Sequence, residues 1–207
     1  MDAIRYSAKV GDCTVLGPGK RAVVWVHGCC FDCPGCIGQH YKAGTWLEAT
    51  PEELAAWYLG QGADGITISG GEPMLQAEAL ARFVRLVREQ ADAGVIVYSG
   101  FVYEELLRRA EKDAGVAAFL AQIDLLVDGQ YVAELDDGRP YVGSSNQRLL
   151  ALTGRYEEAV DTYYGAATAR KMEIRLSETG TLMMGVPSRE QAEIWHQVKR
   201  LGDGDER

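Results

Sequence analysis

Four of the five cysteines in this 207-residue chain fall within eight positions, in the segment HGCCFDCPGCIGQHY at residues 27–41. Cys29, Cys33 and Cys36 stand at C-x3-C-x2-C spacing. Three thiolates so spaced can hold three irons of a 4Fe-4S cube and leave the fourth iron free for a ligand, where iron-sulfur clusters usually have four thiolates. Gly28, Pro34, Gly35 and Gly38 interrupt regular structure and let the backbone wrap such a group. The same cysteines also contain C-x2-C pairs, Cys30 with Cys33 and Cys33 with Cys36. A structural zinc site completed by His27, His40 or Cys13 therefore stays open, and with it a zinc-stabilised binding module without catalysis. Cys30 falls outside the three-ligand pattern and is expected to point away; Cys13 is expected to be a buried apolar residue.

The second chemical feature is ITISGGEPMLQ at residues 66–76. Gly70 and Gly71 allow close backbone approach, and strand-end carbonyls with the Glu72 carboxylate can accept hydrogen bonds from an ammonium group. The plain reading of the same residues is a strand-to-helix turn with Pro73 opening the helix.

The elements that would position these groups are legible. Apolar runs rich in β-branched residues at Ala22 to His27, Ile66 to Ser69, Val95 to Ser99 and Ile123 to Val127 read as buried parallel strands. Between them, Thr50 with Glu53 makes a capping box for a helix from Pro51 to about Leu59. A second helix runs from Leu75 to about Ala91, with Leu75, Ala79, Phe83, Leu86 and Val87 on its apolar stripe, and a third from Tyr103 through Arg109. Alternating strands and helices predict an α/β fold: an incomplete, partial TIM-like barrel of βα units with parallel strands, since a full barrel typically needs about 250 residues. A C-terminal hairpin, Met172 to Leu176 with Thr181 to Val186, and a helix from Ser188 to Lys199 with Ser188 and Gln191 as capping box, complete the expectation. The terminal GDGDER is expected to fray.

Composition narrows the function classes. The formal charge of −9 and pI near 4.9 give no footprint for nucleic acid or an anionic membrane surface. No apolar run approaches the roughly 18 residues of a membrane span, and no leader pattern opens the chain. An odd cysteine count with a tight cluster suits a metal site in a reducing compartment. A cytoplasmic protein forming one domain over 1–207 is expected.

Cysteines at this spacing followed by Gly-Gly-Glu-Pro resemble the radical S-adenosylmethionine (SAM) superfamily. GPG at Gly17 to Gly19, CPGC at Cys33 to Cys36, VIVYSGFVYEEL at Val95 to Leu106, IDLLVDGQYVAEL at Ile123 to Leu135 and GSSNQR at Gly143 to Arg148 narrow the similarity. They resemble activating proteins of anaerobic ribonucleoside-triphosphate reductases, over about residues 4–152. That resemblance implies that Cys29, Cys33 and Cys36 bind the cluster, that Gly70, Gly71, Glu72 and Pro73 line the methionyl end of SAM, that Ser99 lies near its ribose, and that Gly35 contacts the adenine. It implies reductive cleavage of SAM to a 5′-deoxyadenosyl radical, which takes hydrogen from a glycine of a partner enzyme, a glycyl-radical enzyme such as anaerobic ribonucleotide reductase. A flavodoxin or ferredoxin would supply the electron, because no second cysteine set offers an internal relay. The extension over residues 153–207 carries TLMMGVPSRE, which resembles the extra hairpin of less characterised relatives. It leaves open a small molecule or peptide as the target. Asp128, Asn146 and Arg148 read equally well as structural residues of a strand end and a turn.

Overall fold

In a computed structural model of the chain, residues 3–165, 170–177 and 180–202 are described. The centre is a seven-stranded sheet. In spatial order it contains β3 (Leu47–Ala49), β1 (Ile4–Cys13), β2 (Arg21–Val26), β4 (Gly65–Gly70), β5 (Gly94–Ser99), β6 (Leu125–Asp128) and β7 (Arg148–Ala151). β2, β4, β5 and β6 run parallel, in the registers Val26 to Gly70, Ile68 to Val97 and Ser99 to Asp128. These are the four strands expected from the apolar runs, so the mixed α/β class with a mostly parallel sheet holds.

The sheet edges depart from an all-parallel expectation. β1 and β3 pair antiparallel on one side, and β7 pairs antiparallel with β6 on the other. The physical reason is connection length and content. Residues 14–20 between β1 and β2 are too few for the crossover that a parallel pair requires. Residues 129–147 between β6 and β7 include only one 3-10 turn, Ala133–Leu135, and so return the chain beside the strand it left.

Helices α1 (Pro51–Leu59), α2 (Ala77–Arg88), α3 (Tyr103–Ala110) and α4 (Ala114–Leu120) cover one face of the sheet. Thr50 and Glu53 form the expected capping box on α1. α2 is preceded by a 3-10 turn over Pro73–Gln76, which rotates Leu75 out of the expected stripe: it is 53% exposed, while Leu80, Phe83, Val84 and Val87 are buried. α4, capped by Asp113, was not expected because its run AGVAAFL is too short and too uniformly apolar to show a period.

The opposite face is covered by the C-terminal segment. Met184 of β9 packs against Cys13, Val23 and Trp25, and Tyr163 of α5 (Glu157–Gly165) joins Ile96, Val127 and Leu149. The hairpin of β8 (Met172–Ser177) and β9 (Gly180–Gly185) and helix α6 (Arg189–Gly202) match the C-terminal expectation. The Ser188 and Gln191 capping box is present. The last residues of the GDGDER segment lie outside the described residues.

β1 changes face along its length. Ile4 and Tyr6 belong to the core under the helices, whereas Ala8, Val10 and Cys13 pack on the other side. Register shifts between Tyr6 and Ala8 and between Val10 and Cys13 insert the bulges that turn the strand over.

The amino end of the parallel strands is closed by Arg21, fully buried. Its guanidinium donates to Thr67 Oγ1 at 3.1 Å, Tyr156 Oη at 2.7 Å and the Gly94 carbonyl at 2.9 Å. Burial lowers its pKa, partly offset by Tyr156. The GPG loop lies at this end too: a Cβ on Gly17 would stand 2.4 Å from Ile96 Cδ1.

Candidate active site

The cysteine loop, the Gly-Gly-Glu-Pro turn and Ser99 lie at the carboxyl ends of the parallel strands, where ligands of open α/β sheets sit. The cysteine loop follows β2, Gly70 ends β4 with Gly71 to Pro73 directly after it, Ser99 ends β5, and Gly129 to Tyr131 follow β6.

The cysteine loop is closed at its base by the Gly28 N–H donating to the Tyr41 carbonyl at 2.8 Å. It is tied to the next turn twice: the Gly71 N–H donates to the Val26 carbonyl and the Glu72 N–H to the Gly28 carbonyl, each at 2.8 Å. These bonds explain the paired glycines. A Cβ on Gly71 would lie 2.0 Å from the Gly28 oxygen, and one on Gly70, at φ +107°, would lie 2.5 Å from the Val26 backbone. The glycines thus let the turn press against the root of the cysteine loop. Gly38 returns the contact from above, where a Cβ would stand 3.2 Å from the Gly70 oxygen and 3.7 Å from Cys36 Sγ.

Two further contacts hold the loop. Phe31 packs edge-on to Phe101, ring centroids 4.7 Å apart, and lies against Gly100, where a Cβ would approach its ring to 2.5 Å. On the other side, Cys33 Sγ donates to Gln130 Oε1 at 3.6 Å, and Gly35, at φ +73°, faces Tyr131. Phe31, Gln130 and Tyr131 were not identified from sequence. The alternation of Phe31 between two cysteines carries no periodic signal, whereas the Asp-Gly-Gln-Tyr turn after an apolar strand marks where a rim residue could stand.

Cys29, Cys33 and Cys36 are half-buried free thiols, and Cys30 is exposed. Burial pushes the Cys29 and Cys36 thiols up, and each is raised further by neighbouring cysteines of the loop. Three thiols in one loop suit the all-thiolate ligation of an iron-sulfur cube, which carries its irons at separate corners. Among the described residues, no group of three or more His, Cys, Asp or Glu side chains is gathered to hold a single ion. Of the additional zinc candidates, Cys13 is distant and His27 has side-chain partners outside the loop. Cys13 pairs with Arg21 at the amino end of β2, about 17 Å along a six-residue strand from the loop. His27 is bonded through Nδ1 to Ser7 Oγ at 3.0 Å and stacks on Trp46.

Glu72 does not face outward. It is 1% exposed, and its carboxylate accepts from Met74 N at 2.9 Å, Ser99 Oγ at 3.0 Å and Gly100 N at 2.8 Å. Burial nevertheless pushes its carboxyl up to about 7, against the pull of those bonds. Ser99 Oγ also accepts from the Phe101 N–H at 3.1 Å. Glu72 and Ser99 therefore lock the ends of β4 and β5 together.

Asp128, Asn146 and Arg148 have structural partners. Arg148 pairs with buried Asp128 and with exposed Glu104, and Asp128 accepts from the Tyr103 N–H at 2.8 Å. The Asn146 amide donates to the Gln130 carbonyl at 2.9 Å.

With this geometry in hand, the comparisons with known proteins decide the family. The 4Fe-4S single cluster domain matches residues 15–150, which span the cysteine loop and all four strand ends. The chain belongs to this family. The anaerobic ribonucleoside-triphosphate reductase-activating protein of Haemophilus influenzae is 33% identical over 143 residues, covering 64% of this chain and 88% of that protein. The protein of the same name from Vibrio cholerae is 31% identical over 153 residues, covering 67% and 92%. The pyruvate formate-lyase-activating enzyme of Clostridium pasteurianum is 33% identical over 111 residues, covering 47% and 45%. The chain is thus an enzyme of the radical SAM activating type, and the non-catalytic zinc module is set aside. α5, the β8–β9 hairpin and α6 lie beyond the matched region.

Proposed function

We propose that this radical SAM enzyme holds one 4Fe-4S cluster on Cys29, Cys33 and Cys36 and cleaves SAM reductively, so that a glycyl radical is generated on a partner enzyme of the anaerobic ribonucleotide reductase type. The observation that supports the reading is the joining of the three-cysteine loop to the Gly-Gly-Glu-Pro turn, at one end of the sheet, by two backbone bonds. When bound, the cluster would supply the electron that breaks the sulfonium bond of SAM and gives a 5′-deoxyadenosyl radical.

The chain's own residues bind and exclude. Cys29, Cys33 and Cys36 would give up their protons to become ligands, a loss that burial of Cys29 and Cys36 opposes and that the metal would drive. The strand-end backbone at Gly70 and Gly71 would receive the SAM ammonium, with Glu72 and Pro73 holding the turn. The Ser99 strand end would lie by the ribose and the Gly35 backbone by the adenine. Phe31 and Phe101 keep water from the back of the loop. No acid-base pair is required, since the hard chemistry belongs to the cofactors.

We read residues 1–207 as one radical SAM domain, its core an incomplete barrel over about 4–152, in the cytoplasm, with a flavodoxin or ferredoxin as reductant. Unpaired thiols support the reducing compartment. Among the described residues, no helix is long and apolar enough to cross a membrane. The test is anaerobic reconstitution with iron and sulfide, reduction with SAM, and chromatography for 5′-deoxyadenosine. Product that depends on Cys33 supports the reading, and absence of iron uptake refutes it. Mixing with a reductase partner and detecting a protein-bound glycyl radical by electron spin resonance separates the activase from a small-molecule or peptide enzyme.

A further inference from the structure

GSSNQR and the turn after β6 form a single assembly. β6 and β7 pair antiparallel up to Asp128 and Arg148. Beyond that register the ladder is continued by side chains. Arg148 binds Asp128, the Gln147 amide donates to the Gly129 carbonyl at 2.7 Å, and the Asn146 amide donates to the Gln130 carbonyl at 2.9 Å. Three consecutive residues thus grip three consecutive residues in reverse order. Gln147 is fixed in turn, its oxygen accepting from the Gly143 N–H at 2.7 Å.

What this grip presents is Gln130, whose side chain meets Cys33 Sγ at 3.6 Å. A thiol donates to the amide oxygen, but a thiolate ligand has no proton to give and can only accept. The terminal amide must then present its Nε2–H to the sulfur, a half-turn that costs little because the two ends of an amide are nearly the same shape.

We propose that Gln130 is a positioning residue that donates a hydrogen bond to the Cys33 thiolate and raises the reduction potential of the cluster, and that Asn146 and Gln147 hold it there. The inference rests on the ligand assignment above. Hydrogen bonds to cluster sulfurs withdraw electron density and stabilise the reduced state, and partners beyond the direct ligands tune a metal site in this way.

The test is a redox titration followed by electron spin resonance on anaerobically reconstituted full-length protein without SAM, comparing wild type, Gln130→Leu, Gln130→Glu and Asn146→Ala at equal iron and sulfide content. The expected result is a lower midpoint potential in Gln130→Leu, a still lower one in Gln130→Glu, whose carboxylate repels the thiolate, and an intermediate shift in Asn146→Ala. Equal midpoints for wild type and Gln130→Leu overturn the proposal while leaving the cluster reading intact. Should Gln130→Leu fail to take up iron, the Asn146→Ala midpoint decides, and an unshifted value overturns it. A wild-type protein that takes up no iron overturns both readings together.

Discussion

Glu72 sets two physical effects against each other, and its titration shows which one wins. Its carboxyl is raised from an ordinary 4.5 to about 7 by burial, although three donors converge on it. A carboxyl whose folded-state pKa lies above its unfolded one binds its proton more tightly when folded. Its contribution to stability is therefore fully present below about 4.5 and is lost as pH rises through about 7. At about 1.36 kcal/mol per pH unit, the whole gap amounts to about 3 kcal/mol, most of which falls between pH 5 and pH 8. The perturbation is Glu72→Gln, which keeps the shape and removes the titration. Its amide faces at least one donor with another donor, a cost of about 1–3 kcal/mol that does not vary with pH. Urea unfolding of the thiol-reduced, metal-free protein and its variant across this range gives the difference in unfolding free energy, in which other titrating groups cancel. The wild-type advantage should shrink by about 2–3 kcal/mol toward pH 8. A difference that stays flat, or grows with pH, refutes the reasoning and shows that the three donors outweigh burial.

Gly71→Ala drives a Cβ into the Gly28 oxygen and should cost about 3 kcal/mol, with loss of iron uptake, read by the urea midpoint and by iron analysis. Cys33→Ala should abolish 5′-deoxyadenosine formation while Cys30→Ala, altering an exposed thiol, leaves most of it; full activity in Cys33→Ala would contradict the ligand assignment. Arg148→Ala strips buried Asp128 of its cation and should destabilise by about 2 kcal/mol, discounted because Arg148 is itself 40% exposed, as measured by denaturation. Tyr156→Phe removes an acceptor from buried Arg21 and should cost about 2 kcal/mol of stability, with iron content of the reconstituted protein unchanged, since Arg21 lies at the far sheet end.

The four parallel strands were legible because strands buried on both faces must be apolar throughout, and Val23, Val24, Ile66, Ile68, Val95 and Val97 satisfy that demand. β1 was missed although Ile4, Tyr6, Ala8 and Val10 alternate with polar residues. That pattern is the signal of a strand, but its bulges send the same parity to both faces, which no alternation foretells. At the site, the cysteine spacing marked the segment after β2 as a candidate cluster loop, and the 4Fe-4S family match spans that segment. The paired glycines were read as room for a ligand, whereas the structure also uses them for contact between strand ends. The Glu72 carboxylate, read together with the strand-end carbonyls as an acceptor for an ammonium group, bonds to Ser99 and Gly100, a pairing that no sequence pattern announces. Gln130 escaped notice because its role depends on an antiparallel return of β7 that only the folded chain displays.

The contact between Gly71 and Gly28 has a consequence for anyone transplanting this chemistry. The cysteine loop has a back wall made of another segment's bare backbone, more than thirty positions along the chain. Moved alone onto a foreign parallel sheet, the cysteine pattern would lose that wall, and any side chain replacing Gly71 would push it open. The graft must therefore carry two neighbouring strands and both turns, while the intervening helix α1 is free to be exchanged for any connection that restores the Val26 to Gly70 register.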